Sequence, residues 1–543
     1  MEVELMGISM SLTWLLSMIT LGFSVLYVAY ECWSRTYWWR RGVPYEPSLP
    51  IIGNPLFTSK IPENFVEWNK KYGKVYGTYS FRDPVLVVGD PEMLRHLLVK
   101  SFNSFHNRVS FPQIPEELAG MVSLLEGERW KEVRNVLTPS FSGAKMKQMS
   151  HLVNNSADSL VKHIGIMQKE KGHTEFQNLF GSFVMDTVGS CAFGIDIDSQ
   201  SDPKSPFVTN AKKAFQFDLT NPLFILGTLI PILGKVLTYF RIAMFIPADT
   251  LDFFRDVNKK TIALRKSSSS GPNSKRVDFL QLLLDAQKQE NIDKESKPEE
   301  EEEDDDDIHA DLDKHHDVQY HSRGLGKKAT LTDNEVFAQG LIFFTAGSET
   351  TTTLLGFIAY SLATNPEAQE KLIDEIDRVT PSRDSVGYKS VATMPYLDQV
   401  VCETLRIFPP AAVSNRMCNE TFVHNGLMIE KGTQVFIPVY TIHRDPDYWP
   451  EPEKFVPERF TKEAKAKQHP LAWQPFGAGP RNCIGMRFAL METKMAVVRV
   501  FQNYRLETNA QTEIPPKFNR TGFLTPPNGI TLTAVPRTDK VAY

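Results

Sequence analysis

Phe476-Gly477-Ala478-Gly479-Pro480-Arg481-Asn482-Cys483-Ile484-Gly485 is a glycine-rich loop that runs straight into a helical pattern, Met486-Arg487-Phe488-Ala489-Leu490-Met491-Glu492. Residues without a Cβ tolerate tight and left-handed turns, so this backbone can approach a flat ligand closely. A helix starting near Met486 would turn its unpaired N–H groups towards the Cys483 sulfur and favour the thiolate. A thiolate presented in this way can ligate haem iron axially and push electron density towards bound oxygen. Arg481, two residues upstream, could reach an anionic propionate on the ligand's rim. A lone cysteine is more often a buried core thiol. Here, however, F-x-x-G-x-R-x-C-x-G is filled at every fixed position, from Phe476 to Gly485.

Upstream, Asp333 to Leu362 carries the apolar stripe of a long helix, with Leu331-Thr332-Asp333-Asn334-Glu335 as its cap. Inside it, Ala346-Gly347-Ser348-Glu349-Thr350-Thr351 follows Leu341-Ile342-Phe343-Phe344. A glycine in a helix interior costs ~1 kcal/mol against alanine, which invites an explanation. Thr350 stands four residues after Ala346, so its hydroxyl could bond that carbonyl and open the helix locally. Such a groove could hold dioxygen and water, with Thr350 donating protons and Glu349 leading to solvent. A kinked core helix is the plainer alternative. Glu403-Thr404-Leu405-Arg406 puts an acid and a guanidinium on one helical face, a pairing that on a surface is worth little. Trp130 and Arg134 lie one turn apart, so an indole N–H and a guanidinium can address one carboxylate. An interfacial tryptophan beside a surface arginine would look the same.

The rest is mostly helical pattern, including Asp278 to Ala286. Short strand-like patches fall at Val75–Ser80, Val85–Val88, Thr433–Val439 and Ile530–Val535. The 543-residue chain has a formal charge of -5, so no nucleic-acid partner is expected. Five scattered cysteines without a C-x-x-C pair indicate neither a zinc site nor a disulfide framework. Leu5 to Tyr30 is uncharged and mostly apolar, long enough to span a bilayer. An acidic start (Glu2, Glu4) and a following basic cluster (Arg35, Arg40, Arg41) argue for an uncleaved anchor over a signal peptide, with the remainder on the cytosolic side. The sequons at Asn154, Asn419 and Asn519 should then stay bare. Glu299 to Asp307 is an unbroken acidic run, followed by His309, His315, His316 and His321. That composition reads as a solvated insertion; metal binding by the histidines is the weaker alternative.

Taken in chain order, Trp130-x-x-x-Arg134, the A-G-x-E-T-T segment, Glu403-x-x-Arg406, Phe455-Val456-Pro457-Glu458-Arg459-Phe460 and the cysteine loop resemble the cytochrome P450 family of haem-thiolate monooxygenases. Gly479 to Leu490 and Phe141-Ser142-Gly143-Ala144-Lys145-Met146 are similar to the microsomal clan of family-three drug oxidases, thromboxane synthase and insect families six and nine. The resemblance implies a mainly α fold with small β-sheets, a helix-rich triangular prism enclosing haem b behind a single N-terminal transmembrane helix. It implies an anchor at 1–32, a basic, Pro-rich hinge at 33–56 and a catalytic domain at 57–543, with the acidic, His-rich insertion at about 289–328. Cys483 would be the axial iron ligand. Arg481, Trp130, Arg134 and Arg108 would contact the propionates, and Phe476, Gly485 and Ala346 would line the haem. Thr350 and Glu349 would deliver protons. Glu403, Arg406 and Arg459 would form a buried network locking the cysteine loop.

By the same resemblance, Phe343, Phe344, Ala412 and Val413 line a pocket for a lipophilic xenobiotic, steroid or fatty-acid-like molecule. The apolar stretch Pro222 to Leu233 is either core or a membrane-dipping lip at its entrance. The chain has no dinucleotide fingerprint, so electrons would come from NADPH through the membrane-bound cytochrome P450 reductase, with cytochrome b5 as a second donor. Lys131, Lys145, Lys147 and Arg487 are candidates for its docking patch, or simply scattered surface charge. The expected setting is the endoplasmic reticulum membrane. An isomerase of the thromboxane-synthase type, acting on an endoperoxide without O₂ or reductase, is the alternative; a non-catalytic haem sensor comes third.

Overall fold

The central helix runs from Asp333 to Thr364 and organises the molecule. Thr332 and Glu335 form a reciprocal capping box at its start: Glu335 N–H donates to Thr332 Oγ1 (3.2 Å) and Thr332 N–H to Glu335 Oε2 (2.9 Å). From Thr351 to Ala363 every residue is buried, so helices must cover all its faces. The helix Phe176–Val188 crosses it closely and antiparallel. A Cβ on Gly347 would lie 3.4 Å from Val188, and one on Gly356 only 2.4 Å from Gln177 Oε1. Close helix–helix approach thus requires Gly356, whereas a side chain at Gly347 would meet Val188 at ordinary contact distance. The computed structural model of the chain describes residues 2–5, 8–54, 61–109, 114–215, 221–242, 246–267, 278–288, 330–519 and 523–538. The insertion expected at 289–328 lies outside them.

The sheets are small and lie at the flank of the helical body. The largest has the order Val75–Ser80, Asp83–Val88, Gln434–Ile437, Ser414–Met417. Its first and last pairs are antiparallel and its middle pair parallel, with Leu86 opposite Val435 and Asn415 opposite Phe436. A second sheet joins Tyr504–Glu507, Thr531–Pro536 and Thr174–Glu175.

At the N-terminal end a 23-residue helix, Leu12–Ser34, carries exposed apolar side chains on all sides, among them Trp14, Ile19, Phe23, Leu26 and Val28. At 1.5 Å per residue it is ~34 Å long, enough to cross a hydrocarbon core. The central helix is equally apolar but 61% buried, which marks it as core. Where this helix meets the body the chain is stitched down. Trp38, 1% exposed, donates its indole N–H to Thr78 C=O (2.9 Å) and fills the space a Cβ on Gly77 would need. Asn154, one of the three sequon residues, is buried and donates to Val386 C=O.

The helix Pro395–Ile407 supplies Glu403 and Arg406, both 0% exposed. Arg406 pairs with both Glu403 oxygens (2.7 and 2.8 Å) and sends its other N–H groups to the carbonyls of His443, Pro452 and Lys454. Glu403 also accepts from Val456 N–H (2.9 Å) and pairs with Arg459 (3.4 Å). The network therefore grips the segment 443–460 rather than the cysteine loop, which it reaches at one remove. His443 Nε2 accepts from Gln474 N–H (2.9 Å), and Gln474 C=O accepts from Gly477 N–H (3.0 Å) at the start of that loop. Glu403→Gln leaves the Arg406 charge uncompensated in the interior and should cost ~3–5 kcal/mol in denaturant unfolding. His443 supplies a pH dependence as well. Burial, then the Arg406 and Arg444 charges, lower its pKa to about 3. The unfolded imidazole gains a proton below about pH 6.5, whereas the folded one stays neutral until about 3. Stability from this group is complete above 6.5 and is lost as pH falls towards 3, at ~1.4 kcal/mol per pH unit. His443→Gln keeps an acceptor for Gln474, so the slope of unfolding free energy between about pH 6 and 5 should flatten by roughly that amount.

Candidate active site

The cysteine loop is closed on itself and pressed against a neighbouring backbone. Cys483 N–H donates to Phe476 C=O (2.8 Å) and Asn482 N–H to Gly479 C=O (3.0 Å). Gly477 and Gly479 have φ of 74° and 73°, a region that favours glycine. A Cβ on Gly479 would sit 2.0 Å from Leu98 C=O, so no other residue fits there without moving the chain. Gly485 then starts the helix Met486–Phe501. Burial raises the Cys483 thiol pKa, while the Gly485 amide and the Arg134 and Arg108 guanidinium groups oppose that shift by favouring the thiolate. Protein surrounds the group at longer range, yet the thiol itself is exposed on the interior cleft.

Four arginines converge beside it. Arg134, on the helix Gly127–Leu137, donates to Asn482 C=O and Oδ1 (both 2.8 Å). Arg108 reaches Arg481 C=O (3.3 Å). Arg481, 2% exposed, bonds His106 C=O (2.7 Å) and Leu125 C=O (2.5 Å) and lies 4.7 Å over the buried Trp130 ring. Arg416, from the strand Ser414–Met417, is 1% exposed. Burial lowers the pKa of all four, with neighbouring arginines adding to the effect for Arg134, Arg416 and Arg481. Among the described residues none of the four forms an ion pair with a carboxylate. The Nε–H groups of Arg108, Arg416 and Arg481 have no hydrogen-bond partner. Uncompensated buried charge of this kind calls for an anionic ligand. Two propionates beside a thiolate, over a loop that only glycine can follow, are what a haem would bring; the residues fit that group. Arg416 was not foreseen. It is an isolated arginine in a short strand, and only the pairing of that strand with Gln434–Ile437 brings it near Arg108 and Arg481.

On the opposite wall, Ala346 is exposed while Phe344 and Ser348, two residues to either side, are buried. Thr350 Oγ1 donates to Ala346 C=O (2.7 Å), the bond expected from the spacing. Burial raises the Glu349 carboxyl pKa, which favours the protonated acid. Phe141 links the two walls: it packs on Phe343 (5.5 Å between centroids) and faces Gly485, whose Cβ would lie 3.8 Å from its ring. Of the expected pocket residues, Phe343 sits beside this stripe, within the Phe141 and Phe279 cluster. Phe344 does not line the cleft. Two residues before Ala346 it lies about 200° around the helix, fully buried against Phe207 and Phe254 (5.2 and 5.5 Å). Ala412 is likewise 0% exposed, and Val413 packs with the Phe65, Trp68 and Tyr76 cluster.

The description "Cytochrome P450" matches residues 43–315 and 292–534 of this chain. Among curated proteins the chain is similar to cytochrome P450 3A40 of Oryzias latipes, 39% identical over 530 residues and 97% of each chain. It is also similar to cytochrome P450 3A5 of Homo sapiens (38% over 523 residues, 96% of each) and 3A9 of Rattus norvegicus (36% over 531 residues, 97% of each). With a cysteine loop, arginine cluster and threonine-bearing helix that fit haem, the chain belongs to the cytochrome P450 family and is a haem-thiolate monooxygenase.

Proposed function

We propose that this monooxygenase is anchored by Leu12–Ser34 in the endoplasmic reticulum membrane, with its catalytic body on the cytosolic side. There it inserts one oxygen atom of O₂ into a lipophilic xenobiotic, steroid or fatty-acid-like molecule. Electrons come from NADPH through the membrane-bound reductase, with cytochrome b5 as a second donor. The observation that carries the substrate class is a second exposed apolar surface. The stretch 222–233 forms two short helices, Pro222–Leu229 and Pro231–Tyr239, and Ile230, Ile232, Val236, Tyr239 and Phe240 stay exposed there. A surface of that size and polarity is stable against lipid and costly against water.

When bound, haem supplies the oxygen-activating iron. Cys483 would hold that iron. Arg108, Arg134, Arg416 and Arg481, with Trp130, would hold its propionates. Thr350, whose hydroxyl bonds the Ala346 carbonyl, would hold a proton at the cleft. Glu349, whose carboxyl burial shifts towards its protonated form, would replace that proton. Glu403, Arg406 and Arg459 keep the segment beside the loop in place and touch no reacting atom.

The reading is tested by reconstituting the full chain with reductase and a panel of steroids, fatty acids and xenobiotics. NADPH-dependent and O₂-dependent product supports it; turnover that needs neither reveals an isomerase. Cys483→Ala should abolish the strongly red-shifted Soret band of the reduced carbon-monoxide complex, which depends on thiolate ligation. A variant that keeps that band would assign the ligand to another residue. Thr350→Ala should retain haem and substrate-induced spectral shifts while product falls ~10²–10⁴-fold. NADPH should still be consumed, its electrons leaving as peroxide or water. A loss of less than about tenfold would remove Thr350 from proton delivery.

A further inference from the structure

Gln339 lies on the same stripe of the central helix as Ala346 and Thr350, seven residues or about two turns, ~10 Å, towards the N-terminus of that helix. Its side chain is 0% exposed and fully bonded. Oε1 accepts from Val122 N–H (2.9 Å), and Nε2 donates to Gly120 C=O (2.6 Å) and Glu335 C=O (3.1 Å). Among the described residues neither loop group has a backbone partner. A core glutamine placed to hold one backbone N–H and one C=O of a distant loop is specific: no apolar side chain can replace it, and both loop groups would be left unpaired without it.

The loop it holds is gripped from its other end as well. Arg481, from the cysteine loop, accepts none of the freedom left: it donates to Leu125 C=O (2.5 Å) and Ser123 C=O (3.4 Å). Four backbone groups between Gly120 and Leu125 are therefore tied to two side chains, one beside the haem cysteine and one on the oxygen-activating helix. Gly120 adds a steric latch, since a Cβ there would stand 3.3 Å from both Ala338 Cβ and Glu335 Cγ. Glu335 is itself fixed by Arg129 (2.7 Å to Nε), which also donates to Thr330 C=O.

We propose that Gln339 is a positioning residue that clamps the 120–125 loop across the cleft and so limits the size of ligand that can reach the iron. The inference rests on the haem-thiolate reading and on no particular substrate. Arg481 holds the end of the loop beside the haem site through Ser123 and Leu125, and Gln339 holds the other end through Gly120 and Val122.

The test uses the full-length haem protein and two azoles of different bulk, imidazole and clotrimazole, whose binding to ferric haem is followed spectrally without turnover. Gln339→Ala should keep the reduced carbon-monoxide band and the imidazole binding rate. Clotrimazole should associate faster by roughly tenfold. Hydrogen exchange of the peptide containing Val122 should accelerate in the same variant. Gln339→Glu, which keeps an acceptor for Val122 N–H and loses the donor to Gly120 C=O, should fall between wild type and alanine. Unchanged clotrimazole association and exchange in a variant with an intact band would overturn the clamp. Failure of both variants to take up haem would assign Gln339 to folding and overturn it equally. A wild-type protein lacking the red-shifted band would fail earlier, and would sink the haem-thiolate reading instead.

Discussion

Buried positive charge without a carboxylate ion pair is the constraint around which this molecule is arranged. Arg108, Arg134, Arg416 and Arg481 come from a loop, a helix, a strand and the cysteine loop, and among the described residues none of them forms an ion pair with a carboxylate. Their bonds go instead to backbone carbonyls: Asn482, Arg481, His106, Leu125, Asn415. Those bonds align the guanidinium groups but leave their charge unmatched, so each element is held in the geometry that a doubly anionic ligand needs. Charge lost on desolvation is recovered only when that ligand is bound. Haem is thus part of the core in an energetic sense, and the chain around Cys483 is organised for it.

The contrast with the Glu403 network shows how differently the protein treats the same residue type. Arg406 is as deeply buried as Arg416, yet it meets a carboxylate with two short bonds and fills its remaining donors with carbonyls. One site is finished by protein alone and serves to hold the 443–460 segment. The other is completed from outside. The difference lies in whether an acid occurs at the right step of a helix, Glu403 three residues before Arg406, and that step is visible in the sequence.

Legibility followed the range of the interaction. The Thr332–Glu335 capping box, the Thr350–Ala346 bond and the Glu403–Arg406 pair all lie within one helical turn, so spacing alone specified them. The strands at Val75–Ser80 and Thr531–Pro536 were readable from β-branched and aromatic runs. Arg416 was not readable, because its position depends on which strands pair. Phe344 was misplaced for a different reason. A resemblance assigns neighbouring residues to a pocket together, whereas a helix turns about 100° per residue and sends Phe343 and Phe344 to different surroundings. The apolar stretch 222–233 had two readings, core or membrane lip. Only exposure separates them, since both need the same composition.

The central helix shows why function concentrates on one stripe. Downstream of Thr350 it is buried on every face, and its faces are fixed by packing: Gly356 on one partner helix, Phe357 stacked on Phe408 at 4.3 Å on another side. A helix held on all sides has no freedom to rotate or slide. Around the turn Ala346–Thr350 the packing is looser, with Ala346 exposed and Thr350 half-buried, and the polar groups of Thr350 and of Gln339 on the same stripe each have a defined partner. Thr350 bonds its hydroxyl to the Ala346 carbonyl, and burial shifts the Glu349 carboxyl towards its protonated form. Rigidity of the other faces is what allows so small a set of polar atoms to be placed against a reacting oxygen without being consumed by the core around them.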